Sequence, residues 1–341
     1  MIRVALVGAG FVGRNHFNQY QLLGDRARLV AICDADPARR AGDWTNIGGN
    51  LADATGRVQD LGDIRPYARW EDVVAAGDVD MLDITLPTFL HPDIATAALA
   101  AGKHVLCEKP MALTVEGCDR MLAAQKDSSA LLMVAQCVRF WPEYVWLKQA
   151  HTENRYGKLK SLSLRRNAGT PSHSAGAWML DPTKSGGALL DLHVHDADYA
   201  LYLLGKPKSV CAQGHIRNGS PDRVHALWHY NTETCVYVEG CWDFPSGFSF
   251  NMGFTAVFEK AAAIWDMATG KPLCVMHNDG KTETPKVPEA DGFFAEIEYF
   301  LSCIAAGTPP TTSTPQDSRD AIAIALAELE SIRTGKPVPI R

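Results

Sequence analysis

The chain has 341 residues, enough for two domains that each bury a sizeable core. Its 46% apolar and 21% charged content is ordinary for a globular protein, and a formal charge of −6 argues against nucleic acid or an anionic membrane surface as a partner. No run approaches the roughly 20 apolar residues of a membrane helix. The apolar start, Ile2 to Val7, holds Arg3 and runs into a glycine turn, unlike a signal peptide, so a cytoplasmic location is expected.

Near-continuous apolar runs at Ile2–Val7, Leu29–Cys33, Val79–Ile84, His104–Cys107 and Leu131–Ala135 predict strands buried on both faces of a parallel sheet. Helices are expected between them at about 11–23, 91–101 and 114–126, giving an open, doubly wound α/β sheet. The mixed stretch from Pro37 to Pro66 reads as a helix plus a surface excursion. Beyond Pro142 the pattern predicts a helix at about 142–152, a strand at 158–166, a turn at Ser185-Gly186-Gly187 and a helix at 188–204. Alternating, β-branched and aromatic segments then fill 209–274, chiefly 224–230, 235–242 and 248–258, and fit antiparallel strands. Helices at 289–306 and 315–333 close the chain, and a last strand is expected to return at Val338. The expected division is a dinucleotide-type domain over 1–138 and an α+β domain, built on a mostly antiparallel sheet, over 139–341, with the final helix able to pack back on the first domain. Nine scattered cysteines without CxxC spacing read as reduced thiols. His193 and His195 lack companions at metal-ligand spacing, so no metal is expected.

Three elements carry chemistry. Gly8-Ala9-Gly10-Phe11-Val12-Gly13 is GxGxxG between the first strand and a helix, where glycines permit a tight turn, approach of a pyrophosphate and close helix packing. Asp34 ends the second strand 21 residues beyond Gly13; it can accept both ribose hydroxyls and would repel a 2′-phosphate, favouring NAD over NADP, although Arg39 and Arg40 could serve that phosphate. Thr85, Pro87, His91 and Glu108 join Gly8, Gly10, Phe11, Val12, Gly13 and Asp34 as candidate cofactor contacts. Next, Lys109 of Glu108-Lys109-Pro110 stands just past a buried strand, where it could meet the cofactor and donate to a substrate oxygen that develops alkoxide character. Finally, Asp191 and His195 lie at i and i+4 of a helix after Gly186-Gly187; a carboxylate so placed can orient an imidazole as a general base. Spacing alone leaves a capping aspartate and a satisfied core histidine as the alternative reading.

In this order, together with Ala97–Leu99 before Ala101-Gly102-Lys103-His104-Val105, Arg139-Phe140-Trp141-Pro142, and Ser331 before Thr334-Gly335-Lys336-Pro337-Val338, these motifs resemble the Gfo/Idh/MocA family of oxidoreductases. The resemblance spans nearly the whole chain. It implies a Rossmann domain, then a domain with a large open sheet that often forms a subunit interface, hence a homodimer or homotetramer. It implies that Lys109 holds the substrate oxygen, His195 takes the hydroxyl proton as hydride passes to NAD, and Asp191 supports them. His193, off that face, receives no such role. The expected activity is dehydrogenation at a CH–OH group of a sugar or polyol. An NAD-dependent glycosidase working through a redox cycle and a non-catalytic nucleotide sensor are the alternatives. Candidate substrate contacts are Arg139, Arg166, Asn167, Trp178, Asp196 and Asp198. Two features depart from the family pattern: Met179 follows Trp178 where many relatives have arginine, and the 41–66 stretch is long.

Overall fold

The computed structural model describes residues 1–49, 56–171, 175–289 and 291–341. They fall into two compact units: Met1–Cys137 with the described residues of His173–Trp178 and with Gly292–Arg319, and Val138–Ser172 with Met179–Asp291 and Asp320–Arg341.

The first unit is built on a six-stranded parallel sheet of β1 (Ile2–Val7), β2 (Ala27–Cys33), β3 (Arg65–Tyr67), β4 (Met81–Ile84), β5 (His104–Glu108) and β6 (Leu132–Ala135), in the order β3-β2-β1-β4-β5-β6. Strand order reverses between β1 and β4, and ligands of doubly wound sheets bind outside the carboxyl ends of the strands at such a reversal. Val4, Leu6, Met81, Leu82, Val105 and Leu106 are fully buried, which is why these strands lack polar alternation. β3 went unrecognised in the mixed stretch because a three-residue edge strand containing Pro66 has almost no pattern. That stretch is also less superficial than expected: Trp44 is fully buried, packs edge-on against Phe17 with ring centroids 4.9 Å apart, and donates its indole N–H to the Arg39 carbonyl. Residues 50–55 of the same stretch lie outside the described set. The division at 138/139 takes no account of Gly292–Arg319; Ile297, Phe300 and Leu301 of helix Gly292–Ala306 join the first unit's core beside Val4 and Leu6.

The second unit holds a nine-stranded sheet, mostly antiparallel, of β7 (Leu159–Gly169), β8 (Ser209–Arg217), β9 (Ser220–His229), β10 (Cys235–Phe244), β11 (Asn251–Phe258), β12 (Ala261–Asp266), β13 (Cys274–His277), β14 (Thr282–Glu283) and β15 (Val338–Pro339). The order is β14-β13-β12-β11-β7-β10-β9-β8-β15, and β7 and β10 pair in parallel at its centre. One face is covered by helices: Tyr144 of helix Pro142–Thr152 packs edge-on against Phe254 and Tyr199, at 5.2 and 4.7 Å. Trp228, Trp242 and Phe254 are all buried. These three aromatics fill the core, while the other face carries Ser161, Ser163, Thr255, Tyr237 and a half-exposed Leu227, which are smaller or more polar.

Candidate active site

In the first unit each glycine of the turn has its own reason. Gly8 has φ of +111°, and a Cβ there would stand 2.8 Å from the Thr85 carbonyl carbon. A Cβ at Gly13 would collide with the Gly8 carbonyl oxygen, whereas one at Gly10 would meet nothing within 4 Å. Gly10 thus borders open space at the turn, as the close approach of a ligand requires. Thr85, which follows β4, locks the turn by donating its hydroxyl to the Gly8 carbonyl at 2.6 Å. Helix Phe11–Leu22 begins without a side-chain cap and without an acidic residue in its first turn, leaving its positive end for an anion. Phe11 and Val12 are half-buried there, with the Arg14 guanidinium 5.9 Å from the Phe11 ring centroid. Asp34 is nearly buried and its two oxygens accept the backbone N–H groups of Ala9 and Asp36, each at 2.9 Å, which ties the carboxylate to the glycine turn. Arg40 donates to the Asp34 and Ala35 carbonyls, and Arg39 lies 3.8 Å from Asp36, so neither arginine is idle. These residues fit a dinucleotide bound through its pyrophosphate and ribose.

Lys109 is half-buried just beyond β5 and precedes a cis Pro110. Two groups hold its backbone. Glu108 Oε2 accepts the Lys109 N–H at 3.1 Å. His91, buried, places Nδ1 2.9 Å from the Pro110 carbonyl and Nε2 2.7 Å from the Leu86 carbonyl, bridging the loops that follow β4 and β5; burial lowers its pKa. Pro87 stands half-exposed between them.

Behind Glu108 lies a network that sequence reading missed. His16 is fully buried, its Nδ1 2.9 Å from Asp83 Oδ2 and its Nε2 3.1 Å from Glu108 Oε1; Tyr20 donates to the same Asp83 oxygen at 2.9 Å. Burial alone would lower the His16 pKa, but Asp83 and Glu108 together raise it well above the usual histidine range. Glu296 stands close enough to His16 and Glu108 to complete a three-donor cluster. Nδ1 is hydrogen-bonded to Asp83 and Nε2 lies 3.1 Å from Glu108, so two carboxylates flank the ring and favour its protonated form. The available signal was Asp83, a lone carboxylate inside the apolar run Met81–Ile84.

In the second unit, Asp191 and His195 are the only residues of 188–201 that are not buried. The expected single helix is in fact two: a π-turn over Leu189–His193, closed by the Val194 N–H on the Leu189 carbonyl, then an α-helix Val194–Leu204. The π-turn loosens the winding just where Asp191 stands. His193 faces the interior, with Nε2 2.7 Å from Glu328 Oε2, and Trp228 donates its indole N–H to Glu328 Oε1 at 2.6 Å.

The candidate substrate contacts divide. Arg139 and Asp198 are fully buried and form a two-bond ion pair, both bonds 2.7 Å. Arg166 and Asp196 form a second buried pair at 2.7 Å, and burial raises the Asp196 pKa against the pull of Arg166. Four of the six proposed contacts are thus turned toward each other in the core. Asn167 follows Arg166 on β7 and by strand alternation faces the opposite side of the sheet, where it donates to Glu239 at 2.7 Å; both cannot line one site. Trp178 remains half-buried on the short segment before the turn.

Residues 2–136 match the model of an oxidoreductase family with an NAD-binding Rossmann fold, and residues 144–263 match the GFO/IDH/MocA C-terminal domain. The chain is 32% identical to inositol 2-dehydrogenase 2 of Saccharopolyspora erythraea, covering 99% of this chain and 95% of that protein, and 27% identical to inositol 2-dehydrogenase of Rhizobium meliloti, covering 99% of each. A solved structure of levoglucosan dehydrogenase in complex with NADH and levoglucosan shares the fold, with a TM-score of 0.83 over 99% of both chains at 23% identity. With both domain models matched in order and a relative above 30% identity aligned end to end, the chain belongs to the Gfo/Idh/MocA family of NAD-binding oxidoreductases.

Proposed function

We propose that this enzyme oxidises a secondary alcohol of a cyclic polyol or sugar with NAD as hydride acceptor, Lys109 donating to the substrate oxygen, His195 taking its proton and Asp191 orienting His195. The observation that carries this reading is the second unit's helix, which buries every residue of 188–201 except a carboxylate and an imidazole one turn apart. Proton removal by a positioned imidazole and stabilisation of a developing alkoxide by a cation are the two demands of alcohol dehydrogenation. Relatives named for inositol, levoglucosan and xylose oxidation support the substrate class. NAD is preferred over NADP because Asp34 stands at the ribose position, tied to the turn.

The buried Arg139–Asp198 and Arg166–Asp196 pairs then act as supports for the helix rather than as substrate contacts. The test is NADH formation, followed by absorbance, with myo-inositol, levoglucosan, xylose and sugar acids. Release of an aryl leaving group from aryl glycosides without net NADH would replace dehydrogenation by redox-assisted glycoside cleavage.

A homo-oligomer is further proposed through the face of the nine-stranded sheet opposite helix Pro142–Thr152, on which Leu227 is 50% exposed and Met276 38%. A monomer mass in solution at micromolar concentration would refute it. Use of the cellular NAD pool and nine unbridged cysteines favour a cytoplasmic location.

A further inference from the structure

We propose that Glu328, on helix Pro315–Thr334, is a positioning residue for His195, acting through His193; the inference rests on the assignment of His195 as the base. π-turns are rare and occur mostly as single turns within α-helices, and Leu189–His193 is held from both ends. At its start Ser220 donates to the Gly186 carbonyl at 2.6 Å and Ser185 Oγ accepts the Gly187 N–H at 3.0 Å. At its end His193 is wedged against β10, where a Cβ on Gly240 would stand only 2.5 Å from the His193 Cβ. Glu328 Oε2 faces the outer nitrogen of this ring, and Oε1 is fixed by the Trp228 indole. All three side chains are buried, and His193 Nδ1 finds no hydrogen-bond partner among the described residues. That leaves one arrangement for a neutral ring: its single proton is on Nε2, donated to Glu328.

His193 lies midway between Asp191 and His195. A ring clamped on the inner side of the turn therefore fixes the rotation of the segment about its own axis, and with it the direction in which the two half-exposed side chains point. Stability alone does not account for the clamp, since buried charged groups add little to stability that well-packed apolar residues would not. It does account for rotational precision, to which proton transfer is sensitive: a displacement of about 1 Å costs roughly 100-fold.

The test is a double-mutant cycle on the full chain with saturating NAD, using whichever of myo-inositol, levoglucosan or xylose turns over fastest. Glu328→Leu should lower kcat roughly 10- to 100-fold, with the KM for NAD within about twofold. In a His195→Asn background the same change should cost less than about threefold, because a base that is absent cannot be misdirected. His193→Gln, which keeps an N–H near the Nε2 position, should recover most of what His193→Ala loses. Losses from Glu328→Leu that multiply unchanged in the His195→Asn background would overturn the proposal, as would equal losses in His193→Gln and His193→Ala. If Glu328→Leu does not fold, as judged by circular dichroism, His193→Ala and His193→Gln carry the cycle in the same two backgrounds. Wild-type turnover in His195→Asn alone would overturn the base assignment first, and this inference with it.

Discussion

The two units hold their proposed reactive residues by opposite means. In the first, Lys109 rides on a loop, and its neighbours grip main chain: Glu108 takes the Lys109 N–H, His91 bridges two carbonyls, and Asp34 takes two backbone N–H groups. In the second, Asp191 and His195 project from a helix otherwise sunk in the core, and the grip is side chain on side chain, through Arg139–Asp198, Arg166–Asp196 and His193–Glu328. Main-chain anchors shape a cradle that tolerates many side chains facing outward. Side-chain anchors make the support as sequence-dependent as the reactive residue. A change behind the proposed reactive residues should therefore disturb the cofactor's fit in the first unit, and in the second both fold stability and the aim of the proposed base.

The largest effect should fall on the proposed reactive residues themselves. His195→Ala should reduce turnover roughly 10²- to 10⁴-fold with NAD affinity nearly unchanged, and Lys109→Ala should lower it roughly 10²- to 10³-fold. Steady-state rates beside NAD titration by fluorescence would check both, and a His195 variant that loses NAD binding would break the separation between the units. His193→Ala is not a neutral control for it, because the change leaves Glu328 buried with one donor gone.

Next comes Asp198→Ala, which takes the paired carboxylate from a fully buried guanidinium and should cost about 3–5 kcal/mol of stability. A thermal melt that stays in place while only the substrate KM rises would return Asp198 to the substrate. In the first unit, Asp34→Ser should shift the NAD-to-NADP affinity ratio toward NADP about tenfold, the scale of one hydrogen bond to a charged group. An unchanged ratio would point to Arg39 and Arg40.

The smallest effect concerns His16. Its pKa is raised in the folded chain, so its stabilisation is complete below the unfolded value of about 6.5 and is lost as pH rises through the higher folded value. His16→Gln should flatten the alkaline decline in melting temperature and leave the acid side little changed. A steeper alkaline decline in that variant would contradict the imidazolium assignment.

What could be read from sequence follows the physics of each region. Strands buried on both faces announce themselves as apolar runs, so β1, β2, β4, β5 and β6 were legible to within a few residues. β3 was not, because an edge strand needs neither length nor hydrophobicity. In the second sheet alternation revealed strands, but not which face the aromatics take; that depends on where helices lie. The shared half-buried side of Asp191 and His195 was legible because a turn of spacing survives even in a π-turn, while the turn itself leaves no sequence trace. The pairing of Arg139 with Asp198 and of Arg166 with Asp196 was not legible, since composition cannot tell a charge that awaits a ligand from one already matched 59 or 30 residues away.

The near-total burial of 188–201 bears on how this enzyme could acquire a new substrate. Every chain neighbour of the proposed base is a structural member, so random substitution along that helix mostly samples unfolded variants. Libraries meant to retarget the enzyme would do better to leave the helix untouched and vary half-exposed positions such as Trp178 and Met179, where diversity is cheap and chemistry is spared.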